Sequence, residues 1–262
     1  MKPSGHSAVM ADKARGEVEG DDALTALQRR LEYFPTPPWA ARAGGELINA
    51  IDPPPASGKW WCWEPAAGGG HMVQGLGDYF QYVFATDIHD HGADLHRSLD
   101  FLSPEADAFD QVDWIVTNPP FAKAAEFVAA GLRRARRGVA ILARTALLES
   151  GRRYPMFFPG ADQPKGTAAL YALAPFFERV PMTLGRWDPK ASTATAYAWF
   201  VWMQPAAAAD MSHRTRRLLG LRPEVWPIPP GTRERLTRPD DARLFGAKPD
   251  LAGDLFKGGL DG

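Results

Sequence analysis

Short apolar runs, each ending on a polar or turn-forming residue, recur between residues 60 and 143. Trp60-Trp61-Cys62-Trp63 runs into Glu64, Tyr82-Val83-Phe84-Ala85-Thr86 into Asp87, and Trp114-Ile115-Val116-Thr117 into Asn118. Runs of this length bounded by turn signals predict buried strands rather than helices. Helix-length stretches separate them. One spans Ala122–Arg136, and Gly138-Val139-Ala140-Ile141-Leu142 follows it as the next strand. Alternation of strand and helix predicts an α/β fold whose parallel strands are joined by crossover helices.

The flanks read differently. Residues 1–20 are polar and without a period, and are expected to lack fixed structure. Asp21 or Asp22 is placed to cap a short helix running through Leu31. Residues 33–45 hold an extended segment and a helix with an alanine-rich face, before the hard break Asp52-Pro53-Pro54-Pro55. Prolines and glycines between 150 and 180 predict an irregular cap over the carboxyl ends of the strands. Val180–Leu184 and Ala196–Met203 then read as a closing antiparallel pair. The expected organisation is one domain over residues 21–204. The stretch 205–262, rich in Pro, Arg and Asp, is read as a tail with little core.

Candidate chemistry gathers at the strand ends. After Trp114-Ile115-Val116-Thr117 comes Asn118-Pro119-Pro120-Phe121. Two successive prolines fix φ and remove two donors, so the chain leaves the sheet in a rigid extended turn. The turn presents an amide, carbonyls without competing N–H groups and an aromatic ring. Such a group suits a planar substrate bearing an exocyclic NH2: the Asn118 oxygen and the Pro119 carbonyl accept its two hydrogens, and Phe121 stacks on its ring. Glu64-Pro65-Ala66-Ala67-Gly68-Gly69-Gly70 is an acidic, then glycine-rich turn whose backbone can approach a ligand closely. It is neither Gly-x-Gly-x-x-Gly nor a phosphate-binding P-loop. Asp87, at the end of the second strand, is placed for ribose hydroxyls. Asp100 stands beside Phe101.

In this order, the segments resemble the S-adenosylmethionine-dependent DNA adenine-N6 methyltransferases. Glu64, Pro65, Ala66 and Gly68 match that family's cofactor loop, Asp87-Ile88 its ribose-binding acid and apolar neighbour, and Asp100-Phe101 the segment that holds the cofactor's adenine. Asn118, Pro119, Pro120 and Phe121 match its catalytic loop. Thr36, in Tyr33-Phe34-Pro35-Thr36-Pro37-Pro38, matches a threonine that touches the methionine end of the cofactor. Placement of that segment before the glycine loop is similar to the gamma arrangement. Leu142–Arg153 and Tyr197–Trp202 resemble segments common in phage and prophage members. The resemblance covers about residues 30–205. It implies a Rossmann-like class I methyltransferase fold, doubly wound and mostly parallel, with a C-terminal antiparallel hairpin. S-adenosyl-L-methionine is the implied cofactor and DNA the implied partner. The family often has Ser or Cys in place of Ala67, and no large insertion stands out as a target-recognition domain. The same tetrapeptide also suits cytosine N4, guanine N2 in RNA or a protein glutamine. A non-catalytic protein with a retained cofactor fold is the reading from another class.

Composition narrows this little further. The 262 residues carry a net charge of −1, so any nucleic-acid affinity rests on local patches. Candidates are Arg152 and Arg153, the run Arg133–Arg137 that closes a helix, His213–Arg217, and Arg233, Arg235 and Arg238. Trp187, in a polar loop, looks exposed; it is read either as packed on the cap or as a second wall for a base taken out of its helix. A single cysteine, Cys62, excludes an internal disulfide framework and a multi-cysteine zinc site. His89, His91 and His96 are closely spaced in a loop, where a metal site is expected to rest on firmer elements, and no metal is expected. Without a membrane-length apolar stretch or a signal peptide, the chain is expected to be cytoplasmic.

Overall fold

The computed structural model describes residues 23–93, 95–159, 168–209 and 223–245. Residues 1–20, the caps Asp21 and Asp22, and the run His213–Arg217 lie outside them.

Eight strands form one sheet in the order β3-β2-β1-β4-β5-β7-β6-β8. They are β1 (Trp61–Glu64), β2 (Tyr82–Asp87), β3 (Arg97–Ser98), β4 (Val112–Thr117), β5 (Ala135–Arg144), β6 (Leu170–Pro175), β7 (Tyr197–Met203) and β8 (Glu224–Val225). The first five are mutually parallel, and β7 runs antiparallel between β5 and β6. This is the expected α/β architecture, doubly wound from β1 outward in both directions.

Helices cover both faces. They are α1 (Ala23–Arg30), α2 (Pro38–Ile51), α3 (His71–Leu76), α4 (Ala124–Arg134), α5 (Tyr154–Phe157), α6 (Pro205–Ala209), α7 (Thr232–Leu236) and α8 (Pro239–Phe245). Side chains alternate across the sheet as the period of two requires. Trp114, Val116, Ala140, Leu142, Trp199 and Val201 pack with α2 and α3. Ile115, Val139, Ile141, Phe200 and Trp202 pack with α4 on the other face. Pro38 starts α2, where its fixed φ and missing N–H cost nothing. Gly44 lies mid-helix because the Trp199 ring occupies the space a Cβ would need, while Trp199 Nε1 donates to Ala40 O at 3.1 Å.

Three expectations need correction. The closing antiparallel pair is β6 with β7, not Val180–Leu184 with Ala196–Met203; residues 180–184 are loop, with one bridge from Thr183 to Arg186. Leu170-Tyr171-Ala172-Leu173-Ala174 is apolar enough to enter the sheet despite the prolines around it. Next, only Arg133 and Arg134 of the run Arg133–Arg137 close the helix. The strand starts at Ala135, and two of these arginines turn inward: Arg134 to Asp107 and the Phe101 carbonyl, Arg137 to Asp52. Finally, the stretch after residue 204 carries core. β8 pairs with β6, Ile228 and Leu236 are buried, and Asp241 is 1% exposed against Arg42.

Candidate active site

The strand order reverses at β1, whose neighbours β2 and β4 lead away on opposite sides. Ligands of open α/β sheets bind outside the carboxyl ends of the strands at such a switch point. A cavity of about 440 Å³ lies there, within the range of small-molecule sites. Thr36, Glu64, Pro65, Ala66, Gly68, Asp87, Ile88, Asp100, Phe101, Asn118 and Pro120 all line it. Residues far apart in sequence thus meet around one space.

Asn118 follows directly on β4. Its Nδ2 donates to Phe34 O and to Thr36 Oγ1, both at 3.0 Å, with Met182 Sδ at 3.8 Å. These bonds fix the amide plane. They leave Oδ1 buried and without a hydrogen-bond partner. A buried acceptor left open in this way marks a place for a donor that arrives with a ligand. Thr36, 3% exposed, holds the amide in place in addition to facing the cavity. Pro119 is buried in the turn, whereas Phe121 lies behind it against Phe34 and Tyr197.

The glycine loop forms the opposite wall. Gly68 has φ +52°, and Gly70, at +81°, starts α3 from the left-handed region that glycine tolerates. Asp87 Oδ2 accepts from Gly68 N at 2.8 Å, and Oδ1 from His89 N at 3.0 Å, so the second strand end braces the loop. Tyr33 lies across it. Gly69 N donates to the Tyr33 hydroxyl at 3.1 Å, and the Tyr33 ring stacks on His91 at 4.1 Å between centroids. Burial pushes the Tyr33 phenol up to about 12.

Glu64 is fully buried. Burial pushes its carboxyl up to about 8, against the pull of the Thr117 hydroxyl and the Ala66 N–H. Oε1 accepts from Ala66 N at 2.9 Å, and Oε2 is buried with only the Thr117 hydroxyl beside it. His71, also in the cavity wall, is pushed down to about 4 by burial and packs under Phe245. Ile88 is 58% exposed and offers an apolar surface at the rim. Asp100 accepts from Leu102 N and keeps its other oxygen for solvent or ligand. The Phe101 ring is engaged by Trp63, by Phe127 and by the Arg134 guanidinium at 4.8 Å.

The residues expected to contact substrate fare less evenly. Trp187 is not the exposed ring it was expected to be: it is 2% exposed and is not in the cavity wall, because its loop folds back onto the N-terminal segment through Gly185 N and Tyr33 O. Arg152 and Arg153 follow β5 at the carboxyl edge of the sheet, and Arg153 reaches Ala146 O. Arg235 and Arg238 pair with Glu46 and Asp78, and Arg233 with the Pro189 carbonyl. His96 accepts from Ala85 N, and His89 packs edge-on to His91. Among the described residues no cluster of His, Cys, Asp or Glu could hold a metal ion, and no helix is long and apolar enough to cross a membrane. Arg144 was not singled out by sequence, yet its guanidinium lies 4.0 Å from the Phe121 ring centroid.

No family model matches this chain, and no curated protein sequence matches it. Solved structures do. A candidate class I S-adenosylmethionine-dependent methyltransferase from Listeria monocytogenes is 12% identical, with a TM-score of 0.51 over 91% of this chain and 76% of its own. A type I restriction-modification methyltransferase subunit from Streptococcus thermophilus gives 12% identity and a TM-score of 0.45, over 76% of this chain and 53% of its own. The EcoKI M protein, a type I restriction enzyme, gives 13% and 0.46, over 82% and 55%. This chain thus spans about half the length of the last two. The first likeness establishes the fold as that of the class I methyltransferases.

Proposed function

We propose that this chain is an S-adenosylmethionine-dependent methyltransferase acting on the exocyclic N6 amine of adenine in DNA. The observation that carries the reading is Asn118. Its NH2 end is spent on Phe34 O and Thr36 Oγ1, and its oxygen is held buried and open at the cavity. An acceptor fixed in this way, followed by two prolines, fits a donor amine on a planar ring.

The cavity fits the cofactor. Asp87 has lone pairs left for ribose hydroxyls, and Asp100 has a free oxygen for an adenine amine. Ile88 supplies an apolar surface, and the unpaired Glu64 Oε2 can receive an ammonium. Pro65, Ala66 and Gly68 let backbone approach the ligand, and Phe101 closes the wall. When bound, the cofactor supplies a sulfonium methyl, an electrophile that needs no activating base. The protein's work is then mostly placement. Asn118 Oδ1 and the Pro119 carbonyl accept both amine hydrogens, aim the nitrogen lone pair and stabilise positive charge as it develops there. Thr36 keeps the Asn118 amide from turning. Pro120 and Phe121 hold the loop rigid and aromatic.

The test is transfer of labelled methyl groups to unmethylated DNA, total RNA and cell protein in parallel. N6-methyladenine in DNA, absent with Asn118→Ala, is the expected result. Label only in RNA guanine or protein glutamine would move the substrate and keep the loop chemistry. Cofactor binding without transfer to any of the three would refute the enzymatic reading.

A further inference from the structure

Three of the arginines that turn into the molecule each have a carboxylate. Arg42 pairs with Asp241 and Asp78, Arg134 with Asp107 and Arg137 with Asp52. Arg144 has none among the described residues. It is the last residue of β5, in register with Tyr197 at the start of β7, and so stands at the catalytic end of the sheet. Its guanidinium lies 4.0 Å from the Phe121 ring centroid and 5.6 Å from that of Phe34, the residue whose carbonyl holds Asn118. The Tyr197 hydroxyl is its polar neighbour. Its Nε is buried with no hydrogen-bond partner.

A stacked guanidinium gives the rings its face and keeps its N–H donors at its edge. Stacking offsets only part of the charge, and the Tyr197 hydroxyl takes only one of the donors. A partly buried cation without an anion is costly, and the cost is recovered when an anion arrives. The ring beneath it belongs to the catalytic tetrapeptide, so that anion comes with the substrate. Arg153, whose Nε is also buried and unpaired, is tied to Ala146, two residues further along the same edge.

We infer that Arg144 binds the phosphodiester beside the target nucleotide through its guanidinium edge, while its face braces Phe121. This deepens the proposed function and rests on its reading of the substrate as nucleic acid. It makes Arg144 a substrate-binding residue that couples backbone grip to the aromatic ring of the tetrapeptide.

The test is equilibrium binding of fluorescent duplex DNA, single-stranded DNA and single-stranded RNA across a salt series. Wild type is compared with Arg144→Gln, Arg144→Lys and Arg136→Gln; Arg136 begins the same strand at its far end and pairs with Asp113. One lost phosphate contact reduces the slope of log K against log salt by about 0.9 on duplex DNA and about 0.7 on single strands. Arg144→Gln is expected to show that reduction, Arg144→Lys to keep the wild-type slope with weaker binding, and Arg136→Gln to match wild type. Should Arg144→Gln not fold, Arg144→Met drops the charge while keeping a long side chain on the ring. A wild-type slope in the neutral variant, with methyl transfer reduced, would overturn the inference and leave Arg144 as a prop for Phe121. Failure of wild type to bind any of the three probes would sink this inference together with the proposed substrate. The probe that shows the reduction identifies whether DNA or RNA supplies the phosphate.

Discussion

The two ends of the sheet treat polar groups in opposite ways. At the amino ends of β1, β4 and β5, every strong charge is answered. Asp52, 2% exposed, takes a bidentate guanidinium from Arg137, and its Oδ2 also accepts from Trp114 Nε1. Its backbone carbonyl accepts from Trp60 Nε1 at 2.9 Å. Asp113 accepts from Trp61 N and from Arg136. At the carboxyl ends, Glu64 Oε2, Thr117 Oγ1, Asn118 Oδ1 and Arg144 Nε are all buried and unpaired. Satisfied networks specify and stabilise a fold, whereas buried orphans call for another account. These four ring the cavity or the tetrapeptide, while Arg134 Nε, just before β5, is a buried orphan at the other end. The contrast separates the end that holds the molecule together from the end that receives ligands.

Substitutions at the two ends should therefore fail differently. The largest effect expected is at the satisfied end: Asp52→Ala strips Arg137 and Trp114 of their partner and should cost about 3–5 kcal/mol of stability. Denaturant melts would show it, with turnover per folded molecule unchanged. If turnover fell as steeply as stability, the division between the ends would not hold. Next, Asn118→Ala should lower turnover by roughly 10²–10³-fold, the scale of one lost transition-state contact. Its melting temperature and cofactor affinity should stay close to wild type, read by single-turnover kinetics and calorimetry.

Glu64 gives a pH signature of the orphan end. The unfolded chain loses this proton near 4.5, whereas the folded protein holds it to about 8 because the group is buried. In that window the folded state binds more protons, so the contribution of Glu64 to stability falls as pH rises. Glu64→Gln stays neutral throughout. Its melting temperature should exceed that of wild type by a margin that grows from pH 5 to pH 8; a constant margin would mean the carboxyl is already ionised. The smallest effect is expected from Arg136→Gln, an exposed pair with Asp113 on the satisfied end, at under about 1 kcal/mol.

Much of the cavity lining was legible because strand ends of a doubly wound sheet are marked locally in the sequence. Glu64, Asp87 and Asn118 each close an apolar run, and periodicity places such residues at the carboxyl edge without any tertiary information. The antiparallel half was harder. Leu170–Ala174 sits among prolines and glycines and has no alternation to separate it from loop, while β7 inserts between two strands that precede it in the chain. β5 begins among arginines whose partners, Asp107 and Asp52, are distant in sequence. Trp187 looked exposed because its neighbours are polar, but a loop that folds back through Gly185 buries the ring its neighbours advertise. Arg144 could not be read at all: its role lies in contacts to Phe34 and Phe121, not in any local pattern.

The bond between Arg42 and Asp241 joins residues 199 positions apart and ties α8 to α2. Through Phe245 the same helix covers His71 in the cavity wall. On a ribosome adding about 5–20 residues per second, Asp241 follows Arg42 by roughly 10–40 s. During that interval the strands from β1 to β5 can assemble and Arg42 can meet Asp78, yet Arg42 still lacks its second carboxylate and His71 its cover. The loop after β4 is thus synthesised well before the residues that cover the neighbouring wall at His71.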